Sequence, residues 1–241
     1  MDKGITNLFW TGGWDSTFRL LQLIFEEHKY VKPHYIVTAQ ECTGKEIDTI
    51  NKIKRRISRN HPEKSKFLLP ISYMGIGEIK ENKAIEREYQ EIKKTSKINK
   101  QYKHLACYCH QIDVHSIELS VLSTESFEYL ESNSTIFNNF DLPVLGYSKM
   151  EMAQIAERKG WKQLMKMTWF CRRPNKGRPC GFCGPCTDAV LGGVGWRLPI
   201  RARIIAYLQL PFRKWWRNNY QIQDKGILKK ISTYLIKKNK V

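Results

Sequence analysis

The sequence predicts an α/β fold, a parallel sheet sandwiched by helices, followed by a cysteine-rich loop and a basic amphipathic tail. Three observations carry this. Short apolar runs alternate with segments of helical period, as in βαβ units. The first apolar run ends in a Gly-Gly turn that opens directly into a helical segment. Four cysteines crowd into a Gly- and Pro-rich stretch ahead of the tail.

Taken in order, Ile5 to Trp10 is uncharged and rich in apolar and aromatic residues, and reads as a buried strand. The loop Thr11 to Asp15 follows. Ser16 to Glu27 then places Phe18, Leu21 and Phe25 at helical spacing, with Leu20, Leu23 and Ile24 widening the face. Tyr35 to Thr38 reads as a second strand. The segment from Lys45 to Arg59 carries Ile47, Ile50, Ile53 and Ile57 on one side, a helical period. Phe67 to Ile71 reads as a third strand. Glu78 to Lys103 is charged at most positions, with Ile85, Tyr89 and Ile92 as a weak helical stripe, and reads as an exposed helix or excursion. His104 to Ser123 carries no decisive pattern. Leu142 to Leu145 reads as a strand. Ser148 to Gly160 reads as a helix with Ser148 as cap, Glu151 closing a capping box and Gly160 at the end.

The chain has 241 residues, which suits one ordinary domain with an appendage. The expected division is a body at 1–198, including the cysteine loop at 171–186, and an extension at 199–241. No apolar run approaches the roughly 18 residues of a membrane span, and the first residues lack the pattern of a signal peptide. A cytoplasmic, reducing location is therefore expected, where seven Cys read as thiols or metal ligands rather than disulfides. The net charge is +18, and residues 199–241 supply ten of these charges, with eleven Lys and Arg against one acid, Asp224. Such a balance favours polyanionic partners.

The turn Thr11-Gly12-Gly13-Trp14-Asp15-Ser16-Thr17 has the makings of a phosphate cradle. Adjacent glycines let backbone N–H groups approach an anion, and a helix start adds unpaired N–H groups and positive partial charge. Thr11 and Ser16 add hydroxyls, and Asp15 is suited to bracing the loop or holding Mg2+. No Gly-Lys-Ser/Thr follows, so this is not a Walker A loop. Lys149, in the first turn of a helix, opposes the helix dipole and so reads either as a partner for an anion or as a solvated lysine. Cys171, Cys180, Cys183 and Cys186 have the spacing C-x8-C-x2-C-x2-C. Four thiolates so spaced suit a structural Zn2+ site, with an iron–sulfur cluster as the alternative.

Thr-Gly-Gly-Trp-Asp-Ser-Thr resembles the Ser-Gly-Gly-x-Asp-Ser signature of PP-loop ATP pyrophosphatases. The C-terminal cysteines, Ser148-Lys149-x-Glu151 and Thr168-Trp169-Phe170-Cys171 make the combination similar to the 7-cyano-7-deazaguanine synthase family of queuosine biosynthesis. The resemblance covers residues 5 to 40 and 142 to 187. It implies the α/β sandwich of adenine-nucleotide hydrolases and a C–N ligase that adenylates a carboxylate with ATP and Mg2+, releases pyrophosphate and couples the acyl group to ammonia. In that family a second ATP drives dehydration to the nitrile of a deazapurine. Thr11, Gly12, Gly13, Asp15, Ser16 and Thr17 would bind the nucleotide, with Asp15, Ser16 and Lys149 as catalytic residues, and the four cysteines would hold Zn2+ without taking part in the chemistry. The sequence departs from the family at Ala39-Gln40-Glu41-Cys42, where a Tyr-Gly-Gln segment is usual. It lacks the family's Pro-Gly-Arg-Asn segment, and Thr187-Asp188-Ala189 stands where an Arg is usual. These departures point to a changed acceptor substrate.

Other readings stay open. His104, Cys107, Cys109, His110 and His115 are close in sequence, as a second metal site, as a tRNA thiolase nucleophile at Cys109, or as ordinary core and surface residues. The whole chain also fits a nucleotide-binding partner protein without catalysis. In the tail, Ile204, Ile205, Leu208, Phe212, Trp215 and Trp216 form one apolar face, interrupted by Pro211, and Ile227, Leu228, Ile231, Tyr234 and Leu235 form another. With Arg and Lys between them, such faces suit an anionic membrane surface, RNA, the body of the protein or a second subunit of a homodimer.

Overall fold

The computed structural model describes residues 4–95, 98–122 and 134–220. Among these, five parallel strands form one sheet: β1 (Thr6–Phe9), β2 (Val31–Val37), β3 (Ser72–Gly75), β4 (Ile117–Glu118) and β5 (Phe140–Asp141). Their order is β3-β2-β1-β4-β5, with Leu8 of β1 in register with Pro33 on one side and Glu118 on the other. The helices are α1 (Trp14–Leu21), α2 (Thr43–Asn60), α3 (Pro62–Ser65), α4 (Lys83–Thr95), α5 (Lys100–Gln111), α6 (Lys149–Arg158), α7 (Lys162–Lys166), α8 (Gly184–Leu191) and α9 (Ile200–Tyr220). A π-turn at Gln22–Glu26 continues α1.

Both faces of the sheet are covered, and the two apolar residues of the central strand, Leu8 and Phe9, enter opposite cores. Leu8 packs in one core with Phe18, Ile50, Ile53, Ile57, Met152 and Trp161, from α1, α2, α6 and the approach to α7. Phe9 packs in the opposite core with Ile85 and Tyr89 of α4, and Tyr102, Leu105 and Tyr108 of α5. A third cluster joins Cys171, Cys186 and Val190 to Leu198, Ala202 and Ala206, so the first half of α9 packs on the cysteine loop. Arg19 of α1 binds Glu118 of β4 through two N–H donors, at 2.7 and 2.8 Å, tying helix to strand across the switch in strand order.

Three expectations shift, each at a proline. The second strand begins at Val31, not Tyr35, and runs through Pro33. Pro33 faces the same side as Val31, and its missing N–H interrupts the pairing that Val31 makes with Phe67 and Leu69 until the β3 ladder begins at the pair His34–Ser72. The third strand is Ser72–Gly75 and not Phe67–Ile71. Phe67 accepts from the Val31 N–H at 2.7 Å and Leu69 donates to the Val31 carbonyl at 2.9 Å, but the next donor on that side of β2 would be Pro33, which has no N–H. The last strand is Phe140–Asp141 and not Leu142–Leu145. Pro143 lies in the predicted run, and the chain turns there, Leu145 donating to the Leu142 carbonyl. Val144 and Leu145 are buried all the same, so their apolar character marks the core rather than a strand.

The segment predicted from Glu78 to Lys103 includes all of α4 and the start of α5, and its stripe faces inward: Ile85 and Tyr89 are buried. The unassigned region from His104 holds the rest of α5 and β4. The α6 capping box forms as expected. Ser148 Oγ accepts from the Glu151 N–H at 3.2 Å, and Glu151 Oε2 accepts from the Ser148 N–H at 2.7 Å.

Candidate functional site

The sheet order places the carboxyl ends of β1 and β4 at the point where the strand sequence reverses, the usual crevice for ligands in open α/β sheets. The loop after β1 occupies that end. Gly12 adopts a left-handed conformation (φ +68°) with α2 pressed against it: a Cβ there would lie 3.1 Å from Thr49 Cγ2 and 3.2 Å from Ile50 Cγ1. Gly13 precedes α1 as its N-cap and has no side chain to give to the first-turn N–H groups. The loop is closed from inside by hydroxyls. Ser16 Oγ accepts from the Thr11 N–H at 3.4 Å, and Thr11 Oγ1 accepts from the Gly13 N–H at 3.3 Å.

Asp15, expected to brace the loop, does so only in part. Its own backbone N–H favours the carboxylate, yet Oδ1 is buried without a hydrogen-bond partner. Burial raises its pKa, against the opposing charges of Lys149 and Arg197. Thr17 turns into the core. Its side chain is fully buried and accepts from Trp10 Nε1 at 3.0 Å, while its N–H is committed to the Gly13 carbonyl at 3.0 Å. Thr17 therefore holds the loop from beneath.

The other side of the site comes from far along the chain. Trp169 donates its backbone N–H to the Gly12 carbonyl at 3.0 Å and its indole N–H to the Cys171 carbonyl at 2.8 Å. Lys149, at the start of α6, lies against Gly192, whose missing side chain leaves room for it. Arg197, absent from the sequence expectations, is partly buried, with its guanidinium 4.4 Å from the rings of both Trp14 and Phe170. It also donates to Thr168 Oγ1 at 2.6 Å. Burial pushes the guanidinium pKa down to about 9, with the Asp15 charge working against the shift, so it stays charged at neutral pH. One carboxylate thus sits between two cations behind the first turn of α1. The sequence signal for Arg197 is faint, a Gly192-Gly193-Val194-Gly195 turn ahead of Trp196-Arg197.

The four cysteines converge. Their sulfurs all lie within 4.8 Å of one another, with Cys183 Sγ 3.8 Å from Cys171 and 3.5 Å from Cys186. A tetrahedral zinc thiolate site requires sulfur separations of about 3.8 Å. Backbone N–H groups already point at the sulfurs, from Cys180 to Cys171 Sγ and from Phe182 and Cys183 to Cys180 Sγ, at 3.3 to 3.4 Å. Cys183 caps α8 and Cys186 lies in its first turn, where the helix dipole favours thiolate. Cys183 and Cys186 share a hydrogen bond, which lowers the pKa of Cys183 and raises that of Cys186. The cluster can hold a metal ion such as zinc.

It is the one such cluster among the described residues. Cys107 and Cys109 are buried in the core around α5, and burial raises both thiol pKa values, that of Cys109 to about 12. Neither is poised as a nucleophile. Among the described residues no helix is long and apolar enough to cross a membrane. The predicted stretch Ile227 to Leu235 and the side chains of Phe212, Trp215 and Trp216 lie outside the described residues. No protein-family model matches the chain, and no curated protein matches it.

Proposed function

We propose that the protein is an ATP-dependent, AMP- and pyrophosphate-forming C–N ligase, similar to the 7-cyano-7-deazaguanine synthases, with a changed acceptor. The observation that carries this is the uncapped, glycine-fronted first turn of α1 at the switch point, with Lys149 and Arg197 set around Asp15. An all-parallel sheet is compatible with the sandwich of adenine-nucleotide hydrolases that the resemblance implies.

In the reaction, a carboxylate oxygen of the substrate attacks the α-phosphorus of ATP and the α–β bond breaks, leaving pyrophosphate and an acyl adenylate. Ammonia then attacks the acyl carbon and AMP departs. The chain's part is electrostatic. The α1 N–H groups and Lys149 offset the charge that grows on the departing pyrophosphate. The unpartnered Asp15 Oδ1 is the oxygen available to Mg2+, which supplies further neutralisation when bound. Arg197, held by Thr168 and two rings, works with Lys149 against the burial that raises the Asp15 pKa. Zn2+ on the four cysteines fixes the strap from Thr168 to Cys171 and takes no part in bond making.

The test is pyrophosphate release from Mg-ATP by the zinc-loaded protein, with ammonium and a panel of carboxylates that includes carboxydeazaguanine. Release that needs one acid of the panel is expected, with Lys149→Met lowering kcat by roughly 100-fold at unchanged zinc content. ATP binding without pyrophosphate from any acid would replace the enzyme reading with that of a nucleotide-binding partner protein.

A further inference from the structure

Helix α9 is apolar on the wrong side. Its inward face is small, Ala202 and Ala206, both buried against the cysteine loop. Its outward face carries Ile200, Ile204, Tyr207 and Leu208, which are 73%, 54%, 54% and 76% exposed. These positions fall at helical spacing opposite the alanines, so no rotation of the helix in place would bury both sets. The helix end that fits the cysteine loop is fixed tightly: a Cβ on Gly181 would lie 2.4 Å from the Ala202 carbonyl oxygen. The outward stripe is therefore held in place, facing away from the body.

Charge narrows what covers it. α9 carries Arg201, Arg203, Arg213, Lys214 and Arg217 and no acid, within an extension bearing eleven basic residues and one acid. A second copy of this chain, itself at +18, would bring like charge to like charge. Single-stranded RNA satisfies the charge but stacks its bases on aromatic rings and needs hydrogen-bond partners, whereas three of the four exposed residues are aliphatic. An anionic bilayer satisfies both demands, with aliphatic side chains in the acyl boundary and basic ones among the headgroups.

We propose that α9 is a membrane-surface helix that docks the protein on anionic lipid through Ile200, Ile204, Tyr207 and Leu208. It would lie in the plane of the interface and not span it. This does not depend on the ligase reading, because the face is turned away from the core that holds the cysteine loop.

The full-length protein is sedimented with vesicles of phosphatidylcholine alone and of phosphatidylcholine with phosphatidylglycerol. Binding to the anionic vesicles is expected, with at least about a tenfold lower partition coefficient for the pair Ile204→Glu and Leu208→Glu and a weaker, salt-sensitive loss for Arg201→Glu. Zinc content and circular dichroism confirm that the variants are folded. Three results would overturn the proposal. One is no binding to anionic vesicles. Another is binding that the double variant leaves unchanged, which makes it charge alone. The third is a wild-type dimer or RNA complex that the double variant abolishes while vesicle binding persists.

Discussion

Gly181 has no room for a side chain, and its φ of +80° is one that only glycine adopts without strain. Gly160 has a similar φ of +75° but open space around it. Gly181→Ala is therefore expected to destabilise the zinc-loaded protein by about 2–4 kcal/mol, against about 1 kcal/mol for Gly160→Ala. Denaturant unfolding of both variants checks this, and equal losses would refute the close contact with α9. His34 sets a second expectation. It is buried, bonded to Tyr108 Oη at 2.7 Å and Asn7 Oδ1 at 2.9 Å, and burial, aided by Lys32, pushes its pKa down to about 4. The unfolded chain takes up this proton near pH 6.5 and the folded chain only near pH 4. Stability is thus complete above pH 6.5 and falls as pH drops through that window, by on the order of 2 kcal/mol. Unfolding curves of wild type and His34→Gln between pH 7 and pH 4 measure it, the variant lacking most of the slope.

Among the elements, those bounded by local chemistry were the legible ones. The α6 capping box is written in Ser148 and Glu151, the loop in Gly12 and Gly13, and the metal-ligand set in the cysteine spacing. The strands were read less well, because apolar content marks burial and not pairing. Pro33 limits where a ladder can run, because its missing N–H would have faced the neighbouring strand, and at Pro143 the chain turns. Arg197 was out of reach for a different reason. Its surroundings, Trp14, Thr168 and Phe170, are assembled only by the folded chain. The cysteine loop, α8 and the first half of α9 share a small core built around the thiols, with little apolar area of its own. Removing the metal with a chelator is expected to speed amide exchange by at least about tenfold in residues 171–191 and 200–210, while β1 and β2 stay protected. Exchange mass spectrometry resolves the two regions, and uniform loss of protection would show that the loop is not a separate unit.

For the whole molecule, two cores sandwich one sheet, and the charge balance is the main uncompensated feature. A chain at +18 repels itself when compact. Raising ionic strength from about 10 to about 200 mM shortens the screening length from about 30 Å to under about 8 Å and is expected to raise Tm by a few degrees, at about pH 7 and fixed zinc. A thermal melt series gives the sign directly, and a falling Tm would mean that favourable ion pairs such as Arg19 with Glu118 outweigh the repulsion. Trp169 has a consequence at the same scale. One residue bonds the Gly12 carbonyl through its backbone and the Cys171 carbonyl through its ring, so it joins the glycine loop to the thiol cluster. On the proposed function, metal and nucleotide occupancies would be thermodynamically linked through this residue, and whatever factor the metal contributed to affinity at the loop, the nucleotide would return to the metal. Zinc supply would then set the dose of nucleotide the protein responds to, and a bound nucleotide would slow the escape of zinc.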